Sequence, residues 1–374
     1  MADIAFGTQK ISIHNPQHIQ ALKEAIKSGI KMIITSSEYL HGDANRAVAV
    51  AFREFEYDDV ADVEIVSKFS YKENEDIAQK LSDTLKELEL EQLDCYMFYK
   101  VENHLRDAFQ KGMNQDERFD YVNDIIYQVF VALEQEVKEK RIKTYGIGSE
   151  SFALNPKMEY FFPYEDLIAL ADMAAKKVGN KQNSLTTIEI PINLLEQEGL
   201  KCASWAKKNG LRVIASRALS GVYENQIYRL ASYDESATYY NYLNELLEIC
   251  DNETLQSLYN LIEELDATKH KFGWVEDFDH FFFTQAIPHI QKVLQDLDTE
   301  YQETMIQYID IFFAEYRKMV AYECSLKTKK LLDTLEIKCP SSLQECAIEF
   351  LEQQENIDFI EIGMRKPSYV NEFL

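Results

Sequence analysis

Two side chains at the ends of consecutive apolar runs could move a proton: Tyr39, in TSSEY, and Lys68, in VSKF. A phenol has a pKa near 10 and needs a nearby cation to act as an acid at neutral pH. Lys68 could be that cation, although Tyr39 taken alone also reads as an ordinary core or surface tyrosine. Other candidates are weaker. His41 follows Tyr39 by two residues but sits in a loop, where histidines are usually just solvated. Glu102 and His104 follow the LDCYMFY run and could face the same way. The acidic run EDFDHFFF near Trp274 has no tight metal-ligand spacing and reads as a solvated helix start. The six cysteines form no CxxC pair, and none has a histidine at zinc-like spacing, so no metal is expected. Gly146-Ile147-Gly148 is GxG with Ser at 151, so it reads as strand-end packing and not as a dinucleotide fingerprint.

The elements that must position these residues repeat with one period, set by Tyr121 to Phe152. Ile125, Ile126, Val129, Phe130, Leu133 and Val137 recur at three- and four-residue steps, the stripe of an amphipathic helix. Lys138, Lys140, Arg141 and Lys143 at its end suit the helix dipole. Thr144 to Ile147 then reads as a short strand, and GSES follows it. The pattern predicts eight strands: 4–8, 31–35, 63–69, 93–99, 144–147, 184–192, 211–216 and 357–363. Gly29 stops the first helix. Short apolar strands with crossover helices imply a parallel sheet buried on both faces, and eight such units close most simply into a (β/α)8 TIM barrel. An open doubly wound sheet is the rival. One block breaks the period. Residues 222–336, helix-rich and dense in aromatics, form a helical insertion after strand seven in what otherwise reads as a single barrel over 1–374. It is either a layer that buries its own apolar stripe or a lid over the barrel mouth.

Lys and Arg number 39 against 64 Asp and Glu, for a formal net charge of −25. That balance argues against a nucleic-acid partner and gives no attraction to anionic membranes. No run of about 18 apolar residues suggests a membrane span, and MADIAFGTQK lacks the apolar core of a signal peptide. Cysteines inside apolar runs fit a reduced, cytoplasmic protein.

IITSSEYLHG, VSKF, LDCYMFY, EVKEKRIKTYGIGSES, IEIPINLLE, SRALSG and EIGMRKPSYVNE, in this order and spacing, resemble the aldo/keto reductases. The resemblance is greatest to the bacterial branch with a long helical insertion before the last helix-strand pair. It implies a barrel that reduces small carbonyls with NADPH and no metal, through a Tyr, Lys, Asp, His tetrad. Tyr39 and Lys68 match the first two. Ile34 stands at the Asp position and Tyr99 at the His position, where its hydroxyl could donate to the carbonyl oxygen. A desolvated Lys68 without a carboxylate is expected to lose its proton. The nicotinamide-binding positions fall on Ser149, Glu150 and Glu189, the stacking position on Ser216, the pyrophosphate loop on Leu219 and Ser220, and the adenosine phosphate site on Arg365, Lys366 and Ser368. Glu in place of an amide accepts but cannot donate. Two activities follow as alternatives: slow NADPH-dependent carbonyl reduction, impaired by Ile34 and Tyr99, or a catalytically inactive barrel that binds or regulates, with the helical insertion as a surface for a protein partner.

Overall fold

The structure is a computed structural model and describes residues 2–295 and 297–374. The strands are β1 (Asp3–Gly7), β2 (Met32–Thr35), β3 (Glu64–Phe69), β4 (Leu93–Phe98), β5 (Ile142–Gly148), β6 (Leu185–Pro191), β7 (Arg212–Ser216), β8 (Ser220–Tyr223), β9 (Gln226–Arg229) and β10 (Phe359–Ile362). All but β8 and β9 are parallel and close into a barrel in the order β1-β10-β7-β6-β5-β4-β3-β2. The expected (β/α)8 barrel is therefore the fold. Alternate residues of a strand share a face. Ala5, Met32, Ile34, Val66, Cys95, Met97 and Ile214 accordingly meet as a fully buried apolar cluster. Ile34, which the sequence resemblance puts at the Asp position, is one of them. Gly146 belongs to the same packing problem, since a Cβ there would stand 2.9 Å from both Met97 Cε and the Thr187 carbonyl oxygen.

Local signals set the element ends. Gly29 takes φ +83°, where a side chain would be strained, directly after the Pro16–Lys27 helix. The Gln115–Lys138 helix starts earlier than its apolar stripe, because Asn114 and Glu117 form a capping box. It also stops before Lys143, which instead lies in β5 and pairs with Asp94 of β4 at 2.6 Å.

Chain contacts divide the molecule into two compact units: Met1–Ala218 with Ile348–Leu374, and Leu219–Ala347. The second unit contains a feature absent from the sequence expectation, the antiparallel hairpin β8–β9. Its helices, among them Val275–Phe281 and the 36-residue Thr299–Thr334, bury a core of their own. Phe278, Phe312 and Tyr316 are its centre, and Tyr316 Oη donates to the Leu265 carbonyl at 2.9 Å. Glu276 and Asp277 fall in the first turn of Val275–Phe281, and the described residues contain no cluster fit for a metal ion.

The expectation of reduced cysteines is corrected for one pair. Cys339 and Cys346 are joined in a disulfide, because the turn before the Leu343–Glu352 helix brings their Cα atoms to 5.6 Å. Cys95, Cys202, Cys250 and Cys324 are free and buried. Among the described residues no helix is long and apolar enough to cross a membrane.

Candidate active site

One residue-pair step beyond Ile34 and Val66, the barrel interior changes from apolar to charged. Lys68, on the same face of β3 as Val66, is buried with its Nζ 2.9 and 3.1 Å from the two carboxylate oxygens of Glu189 on β6. Glu361 on β10 is the second partner, at 3.3 Å. Two glycines make room for these carboxylates. A Cβ on Gly7 would stand 2.9 Å from Glu361 Oε1 and 3.0 Å from its Cγ, and one on Gly148 would stand 3.2 Å from Glu189 Cβ.

Lys68 was expected to lack a carboxylate and so to shed its proton; the structure overturns this. Burial disfavours the ammonium, but Glu189 and Glu361 together override it and hold the Lys68 pKa well above its ordinary value. Glu361 gives way instead. Burial drives its pKa up, Lys68 resists, the neighbouring Glu189 adds to the rise, and the result is about 7.

Tyr39 opens the turn Tyr39–Gly42 after β2, and its ring is buried with Lys68 Nζ 5.8 Å from its centroid. The turn is tight: Leu40 and His41 take φ 48° and 55°, and His41 is exposed. Burial raises the Tyr39 pKa, Lys68 lowers it, and Glu361 and Glu189 raise it again, so the phenol stays above its ordinary value and protonated. Tyr99 also lies beside Lys68, 5.6 Å from Nζ to ring centroid. Its hydroxyl donates to Glu38 Oε2 at 2.8 Å, so that proton already has an acceptor within the chain. Burial works against the Glu38 carboxylate, yet donations from the Ser70 hydroxyl and amide and from Tyr99 bring its pKa down to about 2.

The structure thus brings Tyr39, Lys68, Tyr99 and Glu189 together. Sequence reasoning missed Glu38 and Glu361. The second had a signal: Ile188-Glu189-Ile190 and Ile360-Glu361-Ile362 each place one carboxylate inside an apolar strand, which a buried strand tolerates only with a counter-charge.

The remaining positions have other partners. Ser149 Oγ donates to the buried Glu102 at 2.7 Å and accepts from the Ser151 amide at 3.1 Å. Glu150 is exposed and pairs with Arg217 at 3.2 Å. Ser216 is buried at the end of β7. Leu219 and Ser220 belong to the second compact unit, where Ser220 Oγ accepts from Arg229 at 2.9 Å. Arg365, Lys366 and Ser368 are exposed after β10. His104 is buried between the rings of Phe98 and Tyr71, as a core histidine.

A model of the aldo/keto reductase family matches residues 3–374. The chain belongs to the aldo/keto reductase family. Comparison with curated proteins returns no match. Similar solved structures include a glycerol dehydrogenase from Gluconobacter oxydans, 17% identical over 98% of this chain and 84% of that one, with a TM-score of 0.48. The holo form of an aldo-keto reductase from Bacillus halodurans is 12% identical over 99% and 84%, at 0.46. An aldo/keto reductase from Klebsiella pneumoniae in complex with NADP and acetate is 20% identical over 58% of this chain, at 0.38. The match spans 64% of that protein, less than two thirds of its length. These similarities are too low to carry an activity across.

The family's cofactor can be tested against the side chains present. A carboxylate has about four lone-pair sites, so Glu189 can accept from a carboxamide N–H while still holding Lys68. Arg365 and Lys366 are exposed cations suited to a phosphate. The donor set fits a phosphorylated nicotinamide dinucleotide, except that the Ser149 proton is directed to Glu102.

Proposed function

We propose that this aldo/keto reductase is an NADP(H)-dependent oxidoreductase that reduces small carbonyl compounds, and does so slowly. The observation that carries the reading is the buried Tyr39 ring with Lys68 Nζ 5.8 Å from its centroid. When bound, the nicotinamide supplies a hydride. The chain supplies the rest: Tyr39 donates a proton to the carbonyl oxygen, and Lys68 offsets the negative charge left on the phenolate. Glu189, with Ser149 and Glu150, would take the carboxamide end, with Ser216 beside the ring and Leu219 and Ser220 at the pyrophosphate. Arg365, Lys366 and Ser368 would take the adenosine phosphate.

The two carboxylates that hold Lys68 also resist formation of the Tyr39 phenolate, and Tyr99 directs its proton to Glu38. Poorly tuned acid catalysis costs about 10²–10⁴ in rate, which sets the expected deficit. We place the protein in the cytoplasm because four of its six cysteines are buried and unpaired, with the Cys339–Cys346 bridge weighing against it.

The commitment of Tyr99 to Glu38, and of Lys68 to two carboxylates, favours a second reading: a catalytically inactive barrel that binds or regulates, with its helical unit meeting a protein partner. One experiment separates the two. NADPH is titrated into the protein, and single-turnover oxidation of the bound nucleotide by an aromatic aldehyde is followed. Submillimolar binding with slow turnover, lost in Tyr39→Phe while binding persists, supports the reductase. Binding without turnover supports the second reading, and no binding at millimolar NADPH removes the first.

A further inference from the structure

The second compact unit holds a groove of about 870 Å³ that neither the tetrad positions nor the cofactor positions touch. A cavity of this size suits a small organic ligand. Its charge is unlike its surroundings. Residues 219–347 carry 23 Asp and Glu against ten Lys and Arg, yet the groove is lined by Lys271, Lys327 and Lys330 against one carboxylate, Asp277. Lys271 and Lys330 are exposed and make no ion pair among the described residues. Concentrating cations where the background is strongly acidic creates a local well for an anion.

The walls are held in place. Lys327, Lys330, Leu331 and Thr334 share one face of the Thr299–Thr334 helix at steps of three and four residues. Thr328 Oγ1 donates to the Arg229 carbonyl at 3.1 Å, which ties β9 to this helix. Lys327 Nζ donates to the Phe272 carbonyl, which ties the opposite wall. Two aromatic side chains complete the lining, Trp274 and Tyr228. In a unit where most aromatic rings pack on one another, the described residues place no ring against either of these two. They offer an unused π surface beside unpaired ammonium groups.

We propose that this groove binds a small organic phosphate carrying a planar ring, of the mononucleotide class. The phosphate lies against Lys271 and Lys330 and the ring against Trp274. All of its lining residues belong to Leu219–Ala347, so it does not depend on the oxidoreductase reading.

The test uses the full chain with Trp205→Phe, which leaves Trp274 as the reporting tryptophan of the two present. Adenosine 5′-monophosphate, adenosine and inorganic phosphate are titrated separately against its fluorescence. The proposal expects a saturable response to the mononucleotide, competition by inorganic phosphate, and a much weaker response to adenosine. Exposed ion pairs contribute modestly each, so Lys271→Gln with Lys330→Gln should weaken binding by about tenfold. Arg365→Ala with Lys366→Ala should leave it unchanged. No saturable response at millimolar mononucleotide overturns the proposal. So does a response that survives loss of the two lysines, or one that requires Arg365 and Lys366. The first two results leave the NADPH reading untouched, and the third would assign the mononucleotide to the proposed cofactor phosphate site; NADPH binding itself is measured by the separate titration.

Discussion

Glu361→Gln is the substitution that tests the buried charge cluster most directly. The Glu361 carboxyl rises from an ordinary 4.5 to about 7, chiefly through burial. A raised acid pKa means that the folded protein keeps this proton longer than the unfolded chain does. Between those two values the folded state binds more protons, so on this group's account stability falls as pH rises through the window. At 1.36 kcal/mol per pH unit, the interval from 4.5 to about 7 amounts to about 3 kcal/mol. Glutamine keeps the shape and an oxygen for Lys68 and does not titrate, so the penalty should vanish. The opposing effect is loss of one partner from a buried pair, which costs roughly 3–5 kcal/mol when it strands a charge. Here Lys68 is not stranded, since both oxygens of Glu189 remain within 3.1 Å. Relief should therefore win at high pH and matter little at low pH. In calorimetry the variant should melt close to the parent near pH 5 and above it near pH 8, by on the order of 5 °C. A variant less stable by the same margin at both ends would refute the reasoning, because Glu361 would then be an ionised, stabilising partner throughout.

Two further outcomes concern the Gly7 contact and the disulfide. Gly7→Ala puts a methyl 2.9 Å from Glu361 Oε1 and 3.0 Å from its Cγ, and overpacking of this kind costs about 1–3 kcal/mol in urea unfolding; most of the loss should return in the Gly7→Ala, Glu361→Ala double variant, and strict additivity would count against the contact. The Cys339–Cys346 bridge closes a loop with a sequence separation of 7, and its reduction should cost about 2 kcal/mol. Alkylation of unreduced, denatured protein should modify the four free cysteines only; six modifications would exclude the bridge.

Where one energy term dominates, the sequence was readable. The barrel strands are runs such as MIIT and LDCYMF, too apolar to be exposed on either face, and the eight expected strands are the eight that close. The hairpin β8–β9 was not legible, because SGVY and QIYR are short and half polar and no strong turn pair joins them. The start of the Gln115–Lys138 helix is fixed by a side-chain cap and not by its apolar period. The Cys339–Cys346 bridge follows from a local turn that no spacing rule encodes. At the site, Tyr39 and Lys68 were visible as neighbours, one just past the end of β2 and the other near the end of β3. The partners of Lys68 were not, since they come from β6 and β10 across the ring, 121 and 293 residues away in sequence.

Those distant partners explain how this barrel can carry isoleucine at the position where the sequence resemblance implies an aspartate. Ile34 completes the apolar layer with Val66 and Met97, so no carboxylate can reach Lys68 from β2. A buried ammonium cannot remain charged without compensation. The compensation enters instead over Gly7 and Gly148, the positions that leave space for a carboxylate. This solution restores the charge on Lys68 but surrounds it with two carboxylates. Burial pushes the pKa of the second one up, and both act on Tyr39 in the direction that keeps its proton. The same change that secures the lysine therefore raises the cost of deprotonating the tyrosine, and the proposed slow reduction rests on that cost.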